Sequence, residues 1–102
     1  MVFWYYGTKI MEAHGDHPVV VERVQTGVRL EKRLLKVLKA LADYHDMSLG
    51  DLLEGIVLHA FEGKAPFGDE SRARIEELKR VFGLTLDASH SHRLAESGGT
   101  HD

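Results

Sequence analysis

Within the run Val19–Leu30, apolar and polar residues alternate with a period of two from residue 23 on. Val20, Val24, Val28 and Leu30, with Glu22 and Thr26 between them, share one side; Arg23, Gln25, Gly27 and Arg29 share the other. Successive side chains of a strand point to opposite faces, so this spacing predicts a β-strand with one mostly apolar and one polar, basic face. From Glu31 the recurrence changes to three and four. Leu34, Val37, Leu38, Leu41 and Ala42 form a helical stripe, and Lys32, Lys36, Lys39 and Asp43 fall off it. Asp46 suits the left-handed residue that closes a helix. Ser48 suits the N-cap of the next helix, with Asp51 three residues on as a capping-box or dipole partner. Leu49, Leu52, Leu53, Ile56, Val57 and Ala60 give a second stripe, which Gly63 and Pro66 end. Ile75, Leu78, Val81 and Phe82 give a third, predicting a helix over 69–82 that Gly83 stops, and Asp87 can cap one more short turn.

The predicted fold is therefore mainly α with one β-strand, in the order strand, helix, tight turn, helix, followed by a C-terminal helix. Four regions are expected along 102 residues: a flexible N-terminal arm over 1–18, a folded unit over 19–63, a helical extension over 64–86 and a mostly disordered tail over 87–102. A lone strand has unpaired amides and carbonyls on both edges and is unstable in water. The unit of residues 23–63 is also near the size below which one chain's core rarely suffices, roughly 40 residues. A second copy supplies both the missing strand and more core, so an intertwined homodimer is expected. Its core would gather Val24, Thr26, Val28, Leu30, Leu34, Leu38, Leu41, Leu52, Leu53 and Ile56.

Charge distribution matters more than the total. The net charge of −3 opposes phosphate binding, which depends on neutralising the backbone. Yet Arg23, Arg29, Lys32, Arg33, Lys36 and Lys39 face only Glu31 across 23–39, six bases against one acid, a local +5. One basic segment in an acidic chain keeps nucleic acid open as a partner.

Val28-Arg29-Leu30, Leu34, Leu38, Leu41-Ala42, then Met47-Ser48-Leu49-Gly50-Asp51-Leu52-Leu53 and Ile56 resemble the ribbon-helix-helix superfamily of Arc, MetJ and CopG repressors and related antitoxins. The resemblance covers roughly residues 24–62. It implies a two-stranded antiparallel ribbon in the major groove of double-stranded DNA and a role as a dimeric transcriptional repressor. Carried over by position, Arg23, Gln25, Gly27 and Arg29 would read bases; arginine suits guanine and glutamine suits adenine. Ser48, Leu49 and Gly50 would hold phosphate at a helix N-terminus, aided by Lys32 and Arg33. Gly27 offers no side chain at the ribbon's centre, and Asp51 adds negative charge beside the phosphate site. Both favour the alternative, a protein-interaction or antitoxin-type dimer with little or no DNA binding. The third helix either covers the dimer core or offers residues 69–86 to a toxin or another protein.

Other chemistry finds little support. The chain has no cysteine, so disulfides, thiolate metal sites and cysteine nucleophiles are excluded. No paired carboxylates, nucleophile with base or phosphate loop occurs at workable spacing, and no enzyme, cofactor or metal is expected. His90-Ser91-His92 is the tightest histidine cluster among seven, without a third ligand fixed by spacing. Met1–Tyr6 is apolar but only six residues long, too short for a signal core or a membrane span. A cytoplasmic protein without membrane contact is the expectation.

Overall fold

The computed structural model describes residues 18–97. Three helices follow one another: α1 (Lys32–Tyr44), α2 (Leu49–Phe61) and α3 (Asp69–Phe82), with a single 3-10 turn at Ala88–His90. The N-terminal arm expected over 1–18, apart from Pro18, lies outside the described residues, and so do residues 98–102 of the tail.

Each helix has local start and stop signals. At α1, Glu31 is the N-cap and its Oε1 accepts from the Leu34 amide at 2.8 Å. A glutamate does here what a shorter side chain usually does, and it also brings negative charge to the positive end of the helix. At α2, Ser48 Oγ accepts from the Asp51 amide at 3.0 Å. All three C-termini close with the same paired bonds, a 6→1 and a 5→2 contact around a left-handed residue. For α1 these run from Met47 to Ala42 and from Asp46 to Asp43, with Asp46 at φ 58°. For α2 they run from Lys64 to His59 and from Gly63 to Ala60. For α3 they run from Leu84 to Lys79 and from Gly83 to Arg80. Gly63 and Gly83 hold φ values of 71° and 68°, which a side chain resists.

Leu41, Ala42 and Leu52 form the centre of the core, and Leu38, Met47, Ile56, Phe67, Ile75 and Leu78 pack around them. Val37 and Leu84 are buried as well. Thus α1 is the element against which both α2 and α3 pack. Met47 and Leu84, the residues just beyond the left-handed closures of α1 and α3, turn inward and tie each helix end to this core.

The predicted strand is not there. Among the described residues no β-strand occurs, and the fold is three helices rather than a ribbon-helix-helix dimer with a two-stranded ribbon. Residues 18–30 run as irregular chain, exposed at every position. None of their backbone groups takes part in a backbone–backbone hydrogen bond among the described residues. Period-two alternation decides which side chains would share a face, but a strand also requires a neighbouring backbone, and among the described residues none hydrogen-bonds to 19–30. The expected dimer core divides accordingly. Leu41 and Leu52 are buried, and Leu34, Leu38, Leu53 and Ile56 are half-buried, all within one chain. Val24, Thr26, Val28 and Leu30 lie outside that core, exposed.

No helix among the described residues is long and apolar enough to cross a membrane.

Candidate nucleic-acid interface

Helix α1 presents two opposed faces. Val37, Leu41 and Ala42 point inward, while Lys32, Lys36 and Lys39, spaced by four and three, line the exposed side. At 1.5 Å per residue this lysine stripe spans about 10 Å of helix. Among the described residues none of the three lysines has a carboxylate within ion-pair distance.

The arginines behave differently. Arg23 grips Glu54 with two parallel hydrogen bonds, Nε to Oε2 at 2.8 Å and Nη2 to Oε1 at 2.7 Å, and reaches Asp51 Oδ1 at 3.3 Å. The hydrogen-bonded pairing holds the Glu54 carboxyl below its usual range, burial opposing, and raises the Arg23 guanidinium above its own. Arg29 pairs with Glu96, sixty-seven residues away. Arg33 donates from Nε to Glu31 Oε2 at 3.1 Å and from Nη1 to the Gly83 carbonyl at 2.9 Å, joining the start of α1 to the end of α3. The Glu31 carboxyl is held down first by the Leu34 amide, against burial, and then by Arg33.

These contacts place the expected site residues. Gln25 and Gly27 lie exposed on the irregular segment, and a Cβ built on Gly27 meets nothing within 4 Å. At the α2 N-terminus Ser48 caps, Leu49 is half-buried and Gly50 is exposed. Asp51 stands in that first turn and faces Arg23. Of the expected base-reading residues, Arg23 thus reaches the first turn of α2, beside the expected phosphate site, and does so through the Asp51 carboxylate. Sequence reasoning assigned roles to the arginines but missed Glu54 and Glu96 as their partners. Asp51 and Glu54 at i, i+3 carried a local signal, since that spacing puts both acids on one helix side. Glu96 carried none, because only the return path of the chain brings it to Arg29.

The outer side of α2 is the other unanticipated feature. This helix is apolar nearly all round, a pattern that normally accompanies burial on every side, yet only Leu52 is buried. Leu58 and Phe61 are 63% and 81% exposed and follow Glu54 at i+4 and i+7. The Arg23 clamp thus holds the apolar segment 19–30 beside the same side of α2.

A cleft of about 560 Å³ lies between the α1–α2 turn and the start of α3, with His45, His59 and Phe67 among its walls. His45 Nε2 and Ser71 Oγ are 3.0 Å apart. Burial lowers the His45 pKa, and the charge of Glu70 works against it. Among the described residues no group of three or more His, Asp or Glu side chains is arranged to hold a metal ion. His90 Nδ1 instead accepts from the Asp87 amide at 3.0 Å, closing a capping box on the 3-10 turn. No protein-family model, no curated protein and no solved structure matches this chain.

Proposed function

We propose that this protein is a DNA-binding regulator that acts as a homodimer. The observation that carries the reading is the exposed stripe of Lys32, Lys36 and Lys39 on α1, whose ammonium groups are unpaired among the described residues. Cations on a rigid helix attract phosphates without regard to sequence and account for most non-specific affinity.

Self-association rests on exposed apolar surface. Val19, Val20, Val21, Val24 and Val28, with Leu58 and Phe61 on α2, are each more than half exposed, apolar surface that a second copy would cover. A two-fold dimer buries the same patch on both copies and doubles the lysine stripes offered to one duplex.

Fluorescence anisotropy of a labelled duplex, titrated over a range of salt, tests the reading. Replacing Lys32, Lys36 and Lys39 by Gln should flatten the dependence of log affinity on log salt by about 2.7 per chain, and so by about 5.4 for a dimer with both stripes on the duplex, since each phosphate contact contributes about 0.9. A wild-type chain that fails to bind DNA at low salt would reject the proposal.

The pairing of Arg23, Arg29 and Arg33 with carboxylates, with Asp51 at the α2 N-terminus, favours a second reading: a protein-interaction dimer without DNA. Self-association in light scattering, combined with no DNA binding at low salt, would select it.

A further inference from the structure

The chain beyond α3 takes a defined course. Leu84 is buried just past the left-handed Gly83, and the Arg33 bond to the Gly83 carbonyl fixes that point to the start of α1. Asp87 and His90 close the 3-10 turn, and Arg93 Nη1 donates to the Ser89 carbonyl at 3.0 Å. Leu86 and Leu94 then line an apolar groove of about 450 Å³ with Leu34, Leu38 and Ile75. Residues 94–97 finally lie across a shallow gap from Arg29–Lys32, where Glu96 takes both the Nε and an Nη of Arg29. Residues 94–97 thus pass beside the first lysine of the exposed stripe, with the Glu96 carboxylate on the nearest arginine.

We propose that this C-terminal strap is a built-in competitor of nucleic acid: Glu96 occupies Arg29 in the place a phosphate would take, and DNA must displace it to use that guanidinium. The inference rests on the DNA-binding reading above. A carboxylate and a phosphate oxygen offer the same kind of planar or near-planar acceptor pair to the guanidinium fork, so the two compete for one donor set. The ion pair is exposed, and such pairs contribute little to folding. Glu96 is therefore able to leave Arg29 without unfolding the helices, since its hold there is weak, while Leu86 and Leu94 stay in the groove that Leu41 also lines. The device raises the threshold for binding; it does not abolish it.

A double-mutant cycle on the full chain tests the inference, using anisotropy of a labelled duplex at low salt with Glu96→Gln, Arg29→Ala and both together. Glu96→Gln should tighten binding about two- to five-fold, the range an exposed pair can supply. Arg29→Ala should weaken it, and adding Glu96→Gln to Arg29→Ala should recover no more than the small gain of one removed negative charge. Glu62→Gln, which removes the same charge beside Lys64, measures that small gain. If Glu96→Gln tightens binding equally with and without Arg29, or not at all while the wild type binds, the competitor role is overturned and the DNA reading stands. If no variant binds DNA, both fall together.

Discussion

Leu41 and Leu58 are the same residue in two adjacent helices, 1% and 63% exposed respectively, and replacing each by Ala separates the core from the outer face. Leu41→Ala removes three carbons from the middle of the Ala42 and Leu52 cluster, worth about 2.4 kcal/mol at about 0.8 per methylene. The cavity left between α1, α2 and α3 adds to this, for an expected loss of about 3–4 kcal/mol. At about 0.05–0.15 kcal/mol per residue, a chain this long has roughly 5–15 kcal/mol in all, so the loss is a large share of the total. The melting temperature should fall by about 15–25 °C. Leu58→Ala in dilute protein should cost no more than about 0.5 kcal/mol, because that side chain touches mostly solvent. Urea titrations followed by circular dichroism at 222 nm measure both. Repeating them at tenfold steps of protein concentration adds the dimer: the wild-type midpoint should climb with concentration, and Leu58→Ala should blunt the climb. A Leu41→Ala loss below about 1 kcal/mol would refute the core assignment. An equally large loss for Leu58→Ala at high dilution would show that the outer face of α2 is buried by the chain itself.

Two further outcomes follow from local geometry. Ser48→Ala removes the acceptor for the Asp51 amide and should destabilise the protein by about 1 kcal/mol in the same titration, whereas Ser48→Asp, which keeps an acceptor, should lose much less. The His45 imidazole has its pKa lowered on folding, so the unfolded chain binds that proton more readily, and stability should decline as the pH falls below the unfolded value of about 6.5, levelling off below the folded pKa. Comparing urea midpoints at pH 7.5 and 5.5, His45→Gln should show a smaller decline than the wild type; an identical decline would mean that other groups cause it.

The helical part of this protein was legible because its signals are local. Apolar spacing of three and four, a serine before α2, a glycine after α3 and an aspartate that tolerates positive φ each act within one or two turns. The third helix occupies Asp69–Phe82, the span that Ile75, Leu78, Val81, Phe82 and Gly83 mark out. The cap at Glu31 was less visible, since glutamate is an uncommon N-cap and only the Leu34 amide reveals its use. Lys32, Lys36 and Lys39 were legible as an outward stripe for the same reason as the helices: their spacing alone puts them on one side.

What sequence alone determined, then, was where backbone hydrogen bonds could be satisfied within a few residues, and which side of each helix was apolar. Only the tertiary structure decided matters that depend on distant neighbours. It left 19–30 irregular, because alternation provides no adjacent backbone. It set Arg23 on Asp51 and Glu54, and brought Glu96 back to Arg29 across the whole helical unit. It also turned α2, apolar nearly all round, so that Leu52 entered the core and Leu58 and Phe61 did not. Helix formation is short-range bookkeeping of donors and acceptors, whereas strand pairing, ion pairing and burial depend on what the rest of the chain carries into reach.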